Sequence, residues 1–395
     1  MFKKTELYKP LNIFFVIFLF FLGIITSIYK GYGDDTDSHA LILSFITMIE
    51  NGQYSASRYY GHPLAELFYG FFGYYFGSFA SSFFSYIFFL TSVIILYLCF
   101  FKNQLQVNYL FLFILICLSN PVLYLDNTNP SDAPLALFLF SLGIFFLYKK
   151  YNIYPAIFFG LTIATRANYA LFVYFLIFYE FFLKNKNKTE IIKIFIFTSL
   201  IGGLFYFPIL VQNKFSLSFI SNSGGPDLDL KSLLPRFINK TLITYGIFTF
   251  PALSIFYILN AKKFKNVILK NKIISILILL NLLTFIFIPT KTSIISLGII
   301  CSYLIIFKLI KKKTILALLI SLNFIFYFVS YQIFDFKYKY NEPCDSVEAI
   351  GANLNVKLNK GYFFLRDKKL KNKIICDSKN FKEKSFKYLK GQEIR

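Results

Sequence analysis

The sequence predicts an all-α membrane protein that crosses the bilayer about eleven times and ends in a small polar domain. Hydrophobic residues make up 56% of the 395 residues, whereas charged residues make up only 16%. Apolar runs recur from Leu11 to Tyr331, and only the last ~60 residues have a water-soluble composition. Such runs form helices in lipid, because a helix satisfies its own backbone hydrogen bonds. This composition excludes a soluble enzyme and a disordered chain.

Polar or charged residues bound each apolar run and so define the predicted membrane segments. In chain order these segments are 11–29, 83–101, 107–125, 134–148, 153–165, 168–183, 194–211, 242–260, 273–290, 292–308 and 314–331. The first segment follows Lys3, Lys4 and Lys9 without a small-residue cleavage site, which indicates an uncleaved signal anchor. Residues 1–331 therefore form the predicted transmembrane domain, and residues 30–82 its first outer loop.

The stretch 153–183 lies between two lysine clusters, and Arg166 divides it into two apolar arms. If the stretch 153–183 crosses the membrane an even number of times, both lysine clusters remain on the same side. We therefore expect a hairpin of two short arms. The alternative, a single tilted helix, would place every later lysine cluster outside.

The net charge of the chain is +22, and its basic residues are distributed unequally between the two sides of the membrane. With a cytoplasmic N-terminus, the cytoplasmic segments contain 19 basic and two acidic residues, whereas the outer loops contain eight basic and nine acidic residues. This asymmetry is the positive-inside rule. It requires no anionic polymer, so no nucleic-acid partner is expected. The predicted location is a cell membrane, with a bacterial inner membrane expected, and the C-terminus extracytoplasmic.

The tail, residues 332–395, is predicted to be a small outer domain with some strand. An oxidising compartment would permit a disulfide between Cys344 and Cys376, with two free thiols as the alternative. Cys99, Cys117 and Cys301 lie in apolar segments and are expected to pack in the core. Residues 212–240 are expected to form an outer lid or a plain connector.

Acidic residues open the first outer loop. Asp34, Asp35 and Asp37 precede an amphipathic helix that is predicted from roughly Ser38 to Asn51 and closed by Gly52. Three close carboxylates suit a general base or a divalent metal ligand, whereas one is sufficient to cap a helix. Capping with solvation is the alternative. The apolar residues expected in the membrane interface are Leu41, Phe45, Met48 and Ile49.

Further polar residues are candidates for binding a substrate or its phosphate; they are Arg58, His62, Glu66, His39, Asp132 and Arg166. Asp132 belongs to a turn that also suits an ordinary helix start. Arg166 is an intramembrane ionisable group whose planar fork suits phosphate, with snorkelling or a structural carboxylate pair as the alternative. Arg236 is expected to face solvent.

The order of these motifs resembles the GT-C superfamily of polyprenyl-phosphate-dependent glycosyltransferases, including protein mannosyltransferase-like and aminoarabinose transferase-like members. Four motifs carry the resemblance: Asp34-Asp35 after the first helix, Gly61-His62-Pro63-Leu64-Ala65-Glu66, Asn129-Pro130-Ser131-Asp132, and Gly160-Leu161-Thr162-Ile163-Ala164-Thr165-Arg166. The motifs of the resemblance fall within roughly residues 8–185. Over the rest of the chain only the architecture, a series of membrane helices, is similar.

The resemblance implies a GT-C-like fold and inverting sugar transfer on the outer face, from a polyprenyl-phosphate donor to a lipid, glycan or protein acceptor. By position Asp35 is the expected base and Asp34 the second choice, while Asp37 departs from the paired motif. Some members need a divalent cation such as Mg or Mn, so a metal at Asp34, Asp35, Asp37 and Asp132 stays open. Arg166 or Arg58 is expected to hold phosphate.

Two other function classes are alternatives to sugar transfer. A glycan polymerase or ligase also uses lipid-linked sugars, but such proteins depend more on Arg and His in large outer loops. A transporter or flippase is disfavoured, because the sequence shows no internal repeat and its polar residues gather at one face.

Overall fold

The computed structural model describes residues 10–33, 36–57, 61–101, 107–149, 153–183, 188–215, 230–287, 292–310, 312–325, 329–338 and 347–358. Its helices are α1 (Pro10–Lys30), α2 (Thr36–Asn51), α3 (Pro63–Phe100), α4 (Val107–Ser119), α5 (Pro121–Thr128), α6 (Asp132–Tyr148), α7 (Tyr154–Thr165), α8 (Ala170–Leu183), α9 (Lys188–Gln212), α10 (Leu230–Tyr245), α11 (Thr249–Leu259), α12 (Ala261–Lys270), α13 (Lys272–Phe287), α14 (Ser296–Leu309) and α15 (Lys313–Ile325). Two 3₁₀ turns, Ala167–Tyr169 and Thr292–Ile295, precede α8 and α14.

Apolar helices dominate the described chain, as the composition predicts. Four stretches are long and apolar enough to cross a membrane, or up to seven if each of three bent helix pairs is one span. Four shorter apolar helices, of 10–17 residues, accompany them. In chain order, each of the eleven predicted segments corresponds to one long helix, one bent pair or one shorter apolar helix. The number of membrane crossings stays a prediction.

Two predicted segments are broken instead of continuous. The prediction of one helix over 107–125 is wrong, because α4 and α5 meet at Asn120 with an 83° bend. Pro121 cannot continue the α4 hydrogen-bond ladder, and the Asn120 side chain accepts the Leu123 N–H at 2.9 Å to start α5. The segment 242–260 bends by 88° between α10 and α11, where Gly246 adopts a φ of +94°.

Other boundaries differ from the predictions at both ends of the chain. The helix predicted over 83–101 is the second part of α3, which follows a break at Gly77, where φ is +79°. The first part begins at Pro63, since proline is well tolerated in the first helical turn, and it lies within the predicted first outer loop. The last predicted segment, 314–331, is too long: α15 ends at Ile325. The connector expected over 212–240 contains the start of α10, and the lysine-rich connector before 273 is the helix α12.

The tail begins with an antiparallel hairpin. Strand β1 (Val329–Tyr338) pairs with β2 (Val347–Leu358), from Val329 opposite Leu358 to Tyr338 opposite Val347, with an irregularity between Phe334 and Phe336. Strand structure was expected here, although β1 starts three residues before the predicted boundary of the tail. Cys344 and Cys376 lie outside the described residues, so their disulfide stays a prediction. Cys99, Cys117 and Cys301 are buried thiols, as expected.

The helix predicted in the first outer loop is present as α2, but its apolar residues do not all lie where they were predicted, in the membrane interface. Leu41 is fully buried and packs with Ala65 and Tyr69 of α3, so its prediction as an interfacial residue is wrong. Ile49, at 47% exposure, remains on the surface. The approach of α2 to α3 depends on Gly70, where an added Cβ would lie 2.0 Å from the Phe45 Cβ.

The two short arms predicted on either side of Arg166 are present as α7 and α8, whereas their two membrane crossings stay a prediction. Phe159 packs on Gly143 of α6, and Arg166 lies next to Asp132 at the start of α6, so α7 runs antiparallel to α6. Helix α8 then returns, because Phe172 packs on Phe140 and Glu180 lies near Tyr148 at the other end of α6.

The bundle therefore has two distinct ends. Gly33, Gly61, Asp132, Arg166 and Ser293 lie at one end, called the site end below. At the opposite end, called the lysine end, described lysines follow or precede the apolar helices; they include Lys149, Lys188, Lys262, Lys270, Lys308 and Lys313. The lysines of this end thus lie far from the polar cluster at the site end.

Close packing of α7 on α9 depends on Gly160. A Cβ there would lie 2.6 Å from the Ile201 Cβ and 3.1 Å from the Thr198 carbonyl oxygen. Gly160→Ala should therefore destabilise the protein by about 1–3 kcal/mol through overpacking. Gly203→Ala is the matched control, since nothing lies within 4 Å of its added Cβ.

Thermal unfolding in detergent, followed with a thiol-reactive dye that reports exposure of the buried cysteines, measures the difference. A Cys344→Ser/Cys376→Ser background keeps the signal on the core thiols. We expect a lower midpoint for Gly160→Ala and an unchanged or higher midpoint for Gly203→Ala. Equal midpoints would contradict the packing account.

Candidate functional site

Two helix ends bring Asp132 and Arg166 together at the site end. Ser131 is extended and Asp132 occupies the first turn of α6. Helix α7 ends at Arg166, whose backbone is extended and whose N–H bonds to the Thr162 carbonyl at 2.9 Å. Because the chain turns here into the 3₁₀ turn Ala167–Tyr169, the Arg166 side chain projects towards the start of α6.

The two side chains form a buried ion pair. Arg166 Nε lies 2.9 Å from Asp132 Oδ2, and the side chains are only 7% and 3% exposed. The guanidinium also contacts Ser293, with Nη2 3.2 Å from Oγ and Nη1 3.5 Å from the carbonyl oxygen. A short Nε bond and long Nη contacts mean that Asp132 fixes the orientation of Arg166. The structural carboxylate pair, one of the alternatives weighed for Arg166, is therefore present.

His62 joins this pair from the first outer loop. Its Nδ1 lies 3.0 Å from the Thr165 carbonyl oxygen and 3.6 Å from Asp132 Oδ2. Since a carbonyl oxygen only accepts, the hydrogen bond to Thr165 requires a proton on Nδ1. The sequence motifs around residues 62, 132 and 166, which are far apart in the chain, thus meet in one buried cluster. This cluster of His62, Asp132 and Arg166 is called the triad below.

Glu66 holds the loop that carries His62. Its carboxylate is fully buried and accepts the Ser57 N–H at 2.8 Å, the Ser57 hydroxyl at 2.5 Å and the His62 N–H at 3.0 Å. The Tyr54 hydroxyl donates a fourth hydrogen bond. Burial, and then the negative charge of Glu66, raise the pKa of Tyr54 well above its usual range, so this phenol stays protonated as a donor. Four donors compensate the burial of the charge.

The start of α2 is tied to the same end of the bundle. His39 Nε2 lies 3.3 Å from the Gly33 carbonyl oxygen, and Asp37 lies in the first turn of α2. Gly33 has a φ of +107°, and a Cβ there would lie 2.6 Å from the Ser38 Cβ and 3.2 Å from Pro130 Cδ. The chain that leads into Asp34 therefore runs against the turn just before Asp132.

The predicted site residues divide into three groups. The structure brings His62, Asp132 and Arg166 into contact, and Glu66 reaches His62 through its backbone. It places Asp37 in the first turn of α2 and His39 against the Gly33 carbonyl oxygen. Asp34, Asp35 and Arg58 lie outside the described residues, as does the side chain of Arg236.

Sequence reasoning missed the residues that close the cluster from the 3₁₀ turn before α14. Ser293 contacts Arg166, and the neighbouring Thr292 donates to the Asp126 carboxylate on α5. These two bonds fix the 3₁₀ turn Thr292–Ile295 against the site end. The available signal was the short polar run Lys291-Thr292-Ser293, at the boundary between the predicted segments 273–290 and 292–308, which resembles any helix connection.

The described residues of the site end do not form a complete set of metal ligands. Among the described residues, no group of three His, Cys, Asp or Glu side chains is arranged to hold a metal ion. Asp132 is neutralised by Arg166 at 2.9 Å, which weakens it as a cation ligand. A divalent cation would therefore need the carboxylates of Asp34, Asp35 and Asp37, and this prediction stays open.

Comparison with known proteins identifies the fold. No protein-family model and no curated protein matches the sequence. The structure is similar to ArnT from Cupriavidus metallidurans bound to undecaprenyl phosphate, with a TM-score of 0.56 at 10% identity, and to apo ArnT, with a TM-score of 0.54 at 11% identity. Each match covers 75% of this chain but only 59% of ArnT. The chain thus shares the fold of ArnT and spans only about three-fifths of the length of ArnT.

The buried pair should be energetically coupled. Asp132→Asn or Arg166→Gln alone leaves one buried charge without its partner and should destabilise the protein by about 3–5 kcal/mol. The double variant removes both charges and should cost clearly less than the sum of the two single variants. A double-mutant cycle of unfolding free energies in detergent measures this coupling. Strict additivity of the two single effects would contradict the pairing.

Proposed function

We propose that the protein is a membrane glycosyltransferase of the GT-C type that moves a sugar from a polyprenyl-phosphate donor to a lipid, glycan or protein acceptor. The observation that carries the proposal is the convergence of the family-like motifs. His62, Asp132 and Arg166 come from three separate motifs and meet at one end of a bundle with the ArnT fold. The undecaprenyl phosphate bound in that ArnT structure carries no sugar and belongs to the class of lipid phosphate that the proposed donor releases.

The orientation of the bundle supports a lipid-linked donor. The lysine end is expected in the cytoplasm by the positive-inside rule, which places the site end on the outer face. Nucleotide sugars are not supplied on that face, whereas a polyprenyl-phosphate sugar reaches it within the membrane. A donor that carries its own lipid anchor also suits a site formed at the ends of membrane helices.

The first-loop carboxylates supply the base in this proposal. Asp35, or Asp34 as the second choice, takes the proton of the acceptor hydroxyl. The acceptor oxygen then forms a bond to the anomeric carbon, while the bond from that carbon to the phosphate oxygen breaks and its electron pair leaves on the polyprenyl phosphate. Attack opposite the leaving group inverts the configuration. The packing of Gly33 on Pro130 supports a base close to the turn before Asp132.

Two arginines are candidates for holding the phosphate. Arg166 is oriented through Nε by Asp132, and its Nη contacts to Ser293 are long enough for a phosphate oxygen to replace them. Its burial, however, means that the site end must open for such an exchange. Arg58 lies four residues before His62 in the sequence. In this proposal Arg166 or Arg58 holds the phosphate of the donor.

Asp35→Asn tests the role of the base. The variant should lower transfer by about 10²–10⁴-fold, because an amide cannot accept the proton. Asp34→Asn and Asp37→Asn should have smaller effects. Glu50→Gln is the matched control, since it removes an exposed carboxylate at the end of α2, the helix of the same outer loop.

Transfer is measured from a panel of radiolabelled polyprenyl-phosphate sugars to endogenous membrane acceptors at matched expression. Full transfer by a folded Asp35→Asn variant would remove Asp35 from the role of base. If the wild type consumes no monosaccharide donor but elongates or transfers a lipid-linked oligosaccharide, the glycan polymerase or ligase alternative replaces the proposal.

A further inference from the structure

The helix α12 at the lysine end has a geometry that the proposed function does not use. It contains ten residues, none of them buried, and it turns by 99° from α13. Because α13 is an apolar helix of the bundle, this bend lays α12 across the end of the bundle. The helix is fixed there, since Lys308 of α14 donates a hydrogen bond to Asn271 at the corner between α12 and α13.

The two faces of α12 differ in chemistry. At about 100° per residue, its four lysines fall on one face centred on Asn266, and all four are exposed: Lys262, Lys263, Lys265 and Lys270. Phe264 lies on the opposite face and Val267 between the two faces, and both pack against the core. The Phe264 ring lies 4.3 Å from the ring of Tyr257. The apolar face is therefore held by the protein, and the cationic face points away from it.

Exposed apolar residues place this face at the membrane surface. Ile258 and Leu259, at the end of α11, are 75% and 78% exposed. Leu269, which lies between Lys262 and Lys265 on the lysine face, is 54% exposed. In a membrane protein such side chains contact acyl chains. Lys262 and Lys263 follow within one turn, so the boundary between acyl chains and headgroups falls between Leu259 and Lys262.

The charge around α12 has one sign. No Asp or Glu occurs between Asp229 and Asp335, a range that includes α11, α13 and α14, the helices against which α12 packs. These helices therefore supply no carboxylate to the lysine face. The chemistry that complements a row of exposed ammonium groups at headgroup depth is a row of lipid phosphates that carry net negative charge.

We infer that α12 binds the headgroups of anionic phospholipids in the leaflet at the lysine end. Four lysines on one face, at the depth of the phosphates, supply the attraction, and the core contacts of Phe264 and Val267 keep that face in place. Each lysine near an anionic surface strengthens the attraction by roughly fivefold. This binding is independent of the proposed transferase activity and lies at the opposite end of the bundle.

Native mass spectrometry of the full chain in detergent tests the inference with two lipids of equal chain length, a phosphatidylglycerol and a phosphatidylcholine. The test variant carries Lys262→Gln, Lys263→Gln, Lys265→Gln and Lys270→Gln. Its matched control carries Lys149→Gln, Lys188→Gln, Lys193→Gln and Lys313→Gln, which removes the same charge from exposed lysines on other helices of that end. A third variant replaces the four α12 lysines with arginine.

The wild type should bind the anionic lipid more tightly than the zwitterionic one. The α12 glutamine variant should lose affinity for the anionic lipid by about tenfold or more, while the control and arginine variants stay within about threefold of the wild type. Raising the salt concentration should weaken the wild-type preference, and this measurement does not depend on any variant folding.

Several results would overturn the inference. These are an equal affinity of the wild type for both lipids, an equal loss in the α12 glutamine variant and its control, or a preference that salt leaves unchanged. Competition by soluble glycerol phosphate at the lipid concentration would show a site for free anions instead of a lipid surface, and would overturn it as well.

Discussion

The buried pair of Asp132 and Arg166 is the constraint on which the site end depends. A charge of either sign is costly at this depth unless its partner is in place, so the start of α6 and the break after α7 must meet. Their meeting fixes where His62 can bond to Thr165, and Glu66 in turn fixes the loop that carries His62. The contacts to Ser293 extend the same constraint to α14. One ion pair thus connects four regions that are distant in sequence.

Broken helices beneath the site end are stabilised by a second set of buried polar groups. Asn120 Nδ2 donates to the Thr244 carbonyl at 2.8 Å and to the Tyr303 hydroxyl at 2.9 Å, and Asn323 reaches the same hydroxyl at 3.2 Å. A helix break in an apolar bundle leaves backbone groups unpaired, and these amides satisfy them. The bends at Asn120 and Gly246 let α5 and α10 lie close to the 3₁₀ turn Thr292–Ile295, at the site end.

The sequence predicted the parts of the structure that depend on local pattern. Amphipathic periodicity and Gly52 predicted the position of α2. The hairpin at Arg166 was predicted because an even number of crossings keeps the lysine clusters before and after it on one side of the membrane. The break at Asn120 was missed because an apolar run looks the same whether its helix is straight or bent. Leu41 was misassigned because an apolar side chain does not distinguish lipid from protein as its neighbour. Ser293 was missed because its contact with Arg166 depends entirely on tertiary packing.

The central claim is that the site end receives a polyprenyl phosphate, and a structure of the full chain in nanodiscs with undecaprenyl phosphate tests it most directly. The account predicts density for the phosphate at the site end, within hydrogen-bond reach of Arg58 or Arg166 and facing the first outer loop. Phosphate density bound only at the lysine end, with the triad unchanged, would contradict the account.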